Sequence, residues 1–151
     1  MRLGHYLELL RRAQVNLAGG YRAVAGAHQA EVDIFYTCRR LAGQADAQAA
    51  ALAPHLAHYP APGPEEPAAD PSAVFRGPRG PGLGLLRDLQ DLYLMVAECD
   101  LSWLLLDRSA QGLRDSGLLA TVRTCHDQTR TQYAWLRTQL GVSSVQALVV
   151  A

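Results

Sequence analysis

Two pairs of residues at i, i+3 spacing stand where amphipathic stretches should be apolar. Thr129–x–x–Gln132 interrupts the run from Leu118 to Leu140, and Ala45–x–x–Gln48 interrupts the run from Ile34 to Leu52. Gln14 and Cys99 occupy comparable central positions in two further runs, Leu3–His28 and Leu85–Ala110. On a helix, i and i+3 share one face, so each pair points the same way. Amides, a hydroxyl and a thiol exchange hydrogen bonds but bring no formal charge. Gln14, Gln48, Thr129 and Gln132 are therefore expected to bond to one another or to enclosed water, because an unpaired buried amide is costly. Such a layer fixes helix register, as a buried Asn does in a coiled coil.

The charged candidates offer different chemistry. Asp100 borders the seam of its stretch and could face His126 as a buried pair or act as a catalytic acid. Asp100, Cys99, His126 and Cys125, with His28 or Glu31, form a noncanonical set of carboxylate, thiol and imidazole ligands suited to Fe, Mn or Zn. Glu98 points away from the seam beside Leu94 and Leu105, and needs a cation: Arg87, or an Arg from a second subunit. His5–x–x–Glu8 and His28–x–x–Glu31 lie about 35 Å apart along one helix and read as surface or capping pairs. His55 and His58 are expected to be exposed. Cys38, Cys99 and Cys125 all fall on seams, the usual place of inert buried thiols, and their spacing fits neither a zinc knuckle nor a CxxC pair. The chain has no Gly-rich phosphate loop after a strand and no nucleophile elbow.

Four amphipathic helices must carry these residues, over about 2–28, 31–57, 83–112 and 115–140. Gly26, Glu31 and Asp33 mark a stop and a new start; Pro54 should kink or end the second helix. Asp115–Ser116 reads as an N-cap and Gly141 as a C-cap, with the third helix closing near Gly112. Seven of the eight prolines lie between Pro60 and Pro81, so residues 58–82 form a long connection, with Val74 and Phe75 expected to pin it to the core. The apolar tail after Gly141 is expected to dock on the bundle. Short links within each half and a long link between them describe an all-α, antiparallel four-helix bundle with a Pro/Gly-rich crossover between helices 2 and 3.

Antiparallel helices of similar length bring their midpoints to one level, which gathers the polar breaks into one layer. Gln14 to Ala45 is 31 positions and Cys99 to Thr129 is 30, so the halves repeat nearly in register. In helix count, crossover, half-to-half spacing and placement of the pairs, residues 3–140 resemble the ferritin-like carboxylate di-metal bundles. The resemblance implies one Glu on each of two helices and a Glu-x-x-His pair on each of the other two. Here those places hold Gln14, Cys99, Ala45 with Gln48, and Thr129 with Gln132. Neutral groups cannot offset the charge of two metal ions, so the usual site and its oxidative chemistry are expected to be missing.

Composition narrows the classes further. Fourteen basic and fourteen acidic residues cancel, every basic residue is Arg, and no basic run appears, which argues against nucleic acid. No apolar stretch approaches twenty residues, so no membrane span is expected. An odd count of three Cys without a leader pattern fits a reducing cytoplasm. The third helix is apolar nearly all round: Leu94, Leu101 and Leu105 lie opposite its seam, with Leu86, Tyr93 and Leu104 between. Either the crossover or tail covers that side, or a second copy does. The expectation is a non-catalytic, homodimeric interaction or accessory protein without a cofactor, its protein partner unnamed. The alternative is a metal or redox enzyme using the noncanonical ligands.

Overall fold

The computed structural model describes residues 1–64, 67, 79 and 82–150. Val74, Phe75 and most of the 58–82 connection lie outside the described residues. Among those described, the regular elements are helical and none is a strand. They are α1 (Leu3–Ala27), α2 (Val32–Ala51), α3 (Ala53–His58), α4 (Gly84–Leu113) and α5 (Ser116–Val145), followed by a π-helical turn, Gln146–Val150.

The seams are buried as their spacing requires. Leu7, Leu10, Leu17, Tyr21 and Val24 of α1 meet Cys38 and Leu41 of α2, Leu89, Leu92, Val96, Trp103 and Leu106 of α4, and Leu118, Val122 and Leu136 of α5 in one core. Pro54 enters at the start of α3, where its missing N–H is tolerated, so the second predicted helix breaks at the buried Leu52. Asp115 caps α5 by accepting from the Leu118 N–H at 2.9 Å.

α4 closes beside Gly112 as expected, at Leu113, and is capped by Arg114, in left-handed conformation at φ 55°. Two expectations at the C-terminal end fail. Gly141 does not end α5; the helix continues to Val145, and the Ser144 hydroxyl donates to the Gly141 carbonyl at 2.8 Å. With that carbonyl satisfied inside the helix, no left-handed cap is needed. The tail does not dock: Val142, Val145, Leu148, Val149 and Val150 are all exposed.

α1 packs along α2, and α4 along α5; α1 against α4 joins the two pairs. Gly20 lets α1 approach α4, since a Cβ there would stand 3.3 Å from Leu92. Tyr6 on α1 bonds to Ser102 on α4 at 3.3 Å, and beyond the far end of α1 His28 bonds to Asp88 at 2.7 Å. Between α4 and α5 the Arg123 guanidinium donates to Asp107 at 3.0 Å, and the Tyr93 and Tyr133 rings sit 4.5 Å apart. The α2 and α5 backbones approach at few points, and long polar side chains span the gap. Gly4 lies under the end of α3; a Cβ would come within 2.6 Å of the Pro60 carbonyl oxygen.

The outer face of α4 departs from expectation in one respect. Leu86 is buried and Tyr93 half-buried, but Leu94, Leu101, Leu104 and Leu105 are 40–55% exposed. Among the described residues neither connection nor tail covers them.

Candidate functional site

The gap between α2 and α5 is filled by four glutamines that repeat as Gln44/Gln48 and Gln128/Gln132, each an i, i+4 pair on one helical face. The buried Gln132 donates through Nε2 to Gln44 Oε1 at 2.7 Å. The buried Gln48 donates through Nε2 to Gln128 Oε1 at 3.1 Å. On each helix the buried amide donates to the outer amide of the other helix, so the two bonds are reciprocal. Thr129 adds its hydroxyl, which donates to the Cys125 carbonyl at 2.8 Å and lies 3.4 Å from Gln48 Oε1. Tyr21 completes the layer from α1, donating to Gln132 Oε1 at 2.9 Å. Burial, reinforced by the neighbouring Cys38 and Cys99 thiols, raises the Tyr21 hydroxyl well above its ordinary pKa, which keeps it a donor.

Gln14 does not join this layer, contrary to expectation. It is fully buried, yet neither amide atom has a partner; the indole N–H of Trp103 is likewise unpartnered. The α1 contribution comes instead from Tyr21, two turns further on. The sequence reading also missed Gln44 and Gln128, for which the repeated Gln–x–x–x–Gln spacing was the available signal. Ala45 is buried between the amides without chemistry of its own. Cys99 is buried and hydrogen-bonds to no member of the layer. Burial pushes Cys38 and Cys99 up to about 12 and Cys125 to about 11, and all three thiols are free.

The noncanonical ligand candidates fall in two places. Asp100 and His126 do meet, at 2.9 Å, and Asp100 opens onto a shallow groove of about 390 Å³ with Arg130, Tyr133 and Arg137. The Tyr133 hydroxyl is raised by its hydrogen bond with Tyr93 and by burial. At the other site, beyond the end of α1, His28 and Glu31 line a groove of about 790 Å³, but the His28 ring turns to Asp88 rather than to Glu31. Asp88 is fully buried and also accepts from the Arg79 backbone N–H at 3.1 Å and its guanidinium at 3.2 Å. The same guanidinium stands 2.8 Å from Asp91 Oδ2, close enough for an ion pair though not aligned for a hydrogen bond. Nothing in the sequence pattern singled out this acid cluster, because its cation comes from the connection before α4.

The remaining pairs are structural. Glu8 bonds to Arg11, which holds its carboxyl below the usual range, and His5 has no share in that bond. His55 is half-buried against Thr121 at 2.9 Å, not exposed; His58 is exposed. Among the described residues no three His, Cys, Asp or Glu groups converge as metal ligands.

A scan against protein-family models, a search of curated proteins and a search of solved structures each found no match.

Proposed function

We propose that this chain is an antiparallel, ferritin-like four-helix bundle whose Pro/Gly-rich connection crosses between α3 and α4, and whose central layer is sealed by amides. Its role is that of a non-catalytic interaction or accessory protein of the cytoplasm, acting as a homodimer through the outer face of α4. The antiparallel reading is supported by pairs whose numbers rise on one helix as they fall on the other: Gln44–Gln132, Gln48–Gln128, His55–Thr121 and Tyr59–Asp115.

The observation that carries the functional reading is the reciprocal amide layer. Two divalent ions need several anionic oxygens. The glutamine amides already satisfy one another, so a cation entering the gap would break good hydrogen bonds and gain no charge neutralisation.

Elemental analysis after incubation with Fe(II), Mn(II) or Zn(II) and gel filtration tests it. The expected result is well below one ion per chain. Stoichiometric metal that disappears in Asp100→Asn or His126→Ala would overturn the reading. It would favour instead a metal or redox enzyme built on Asp100, His126, Cys99 and Cys125. The Asp100–His126 bond beside an open groove is the observation in that second reading's favour.

A further inference from the structure

Three of the exposed leucines of α4, Leu94, Leu101 and Leu105, belong to a second heptad-spaced line along the side of the helix opposite its core. Its members are Leu94, Glu98, Leu101, Leu105, Arg108 and Gly112, spaced four, three, four, three, four, and every one of them is exposed. All six fall within about 40° of one line at 100° per residue. The residue at the centre of this run, Trp103, points the other way, fully buried in the bundle's own core. The four–three spacing is that of a two-stranded coiled-coil seam, with Leu at three of its six places, so a helix is the shape it fits.

The order of residue types names the helix. A two-fold axis at the level of Trp103 sets residue i of one copy against residue 206 − i of the other. Leu101 then meets Leu105, Leu94 meets Gly112, and Glu98 meets Arg108, each contact occurring twice. Every position is thereby matched by size or by sign. The chain gives neither Glu98 nor Arg108 an ion pair of its own among the described residues. Gly112 has open space where a Cβ would stand, and beside it lies an apolar groove of about 380 Å³ between Leu3, Tyr6, Ser109 and Leu113. A parallel arrangement would instead place Glu98 on Glu98 and Arg108 on Arg108, two repulsive contacts along the same seam.

From this complementarity we infer that two copies associate antiparallel through α4, about a two-fold axis at Trp103, with Glu98 of each copy paired to Arg108 of the other. The inference rests on the homodimer of the preceding reading and specifies its register and direction.

A charge swap tests it on the full chain by sedimentation equilibrium. The unmodified protein is expected to be dimeric at tens of micromolar. Glu98→Arg alone and Arg108→Glu alone each convert two attractive contacts into two repulsive ones, and about a tenfold weaker dimer is expected for each. The double variant Glu98→Arg/Arg108→Glu restores the opposite-sign contacts and is expected to return to within about threefold of the original. All these positions are exposed, and circular dichroism at the same concentration confirms that each variant remains helical. A monomer throughout the concentration range would overturn both the dimer and this register. A dimer that ignores the single changes, or that the double change fails to restore, would overturn the register alone. In that case Leu101→Asp decides whether α4 is the interface at all: loss of the dimer retains α4, and persistence removes it.

Discussion

Gln14 and Gln132 are both buried, at 0% and 1% exposure, but only Gln132 has hydrogen bonds to lose. A buried amide without partners forfeits its hydration with nothing in return, at a cost of about 1–3 kcal/mol. Methionine has nearly the same length and no polar group to desolvate. Gln14→Met is accordingly expected to raise the unfolding free energy by about 1 kcal/mol in urea denaturation. Gln132→Met should do the reverse, by about 2 kcal/mol, because it leaves the buried Tyr21 hydroxyl unpaired in the core and takes the half-buried Gln44 oxygen's donor away. If both substitutions moved stability in the same direction, the division of the glutamines into bonded and orphaned would be wrong. The contrast also bears on specificity. A bonded layer between α2 and α5 favours one register of those helices, since sliding either by a turn leaves one facing pair of glutamines instead of two.

At the level of elements, the start of α5 is where pH reaches the fold. The Asp115 carboxylate accepts from the Leu118 N–H and, at 2.7 Å, from the Tyr59 hydroxyl, so one side chain caps α5 and ties the end of α3 to it. The capping bond first, and the Tyr59 bond second, hold its pKa below the ordinary carboxylate value. A group lowered in the folded state stabilises above its unfolded pKa, about 3.9 for Asp, and loses that contribution as pH falls through the folded value. Melting temperature should therefore be flat with respect to Asp115 near neutrality and drop in acid. Asp115→Asn, which still caps but cannot titrate, should show a shallower acid decline; an unchanged profile would exclude this carboxylate as a contributor. Caps also mark where sequence was readable. Asp115 was visible because Asp is among the residues preferred at a helix N-cap. Gly141 misled because glycine permits a left-handed cap without requiring one, while the cap of α4 is Arg114, which adopts that conformation. The seams were legible throughout, since period alone fixes which side is buried. Partners across the core were not. Choosing Tyr21 over Gln14 requires the relative heights of α1 and α5, and no pattern within either helix contains that.

For the molecule as a whole, the closure around Asp88 joins three stretches that are distant in sequence: His28 beyond α1, Arg79 before α4, and α4 itself. It is the one place among the described residues where the connection between the two helical pairs is held by a fully buried charge. The two ends of the Arg79–Asp88 ion pair are not equivalent. The Arg79 side chain keeps 34% of its exposure and can return to water, whereas the Asp88 side chain, at 0%, cannot. Removing the cation therefore strands the anion, and the penalty for a buried charge left with too few partners is on the order of 3 kcal/mol. Arg79→Ala should lower the unfolding free energy by about that amount. Asp88→Asn should cost less, because the amide can still meet His28 and the guanidinium keeps Asp91 and water. The double variant Arg79→Ala/Asp88→Asn should be more stable than Arg79→Ala alone, since it removes one of the two carboxylates, Asp88 and Asp91, that lose their cation. Urea denaturation of the four proteins gives the complete cycle. Additive single effects would mean that the pair holds nothing together, and that the joining of the two halves rests on apolar packing between α1 and α4.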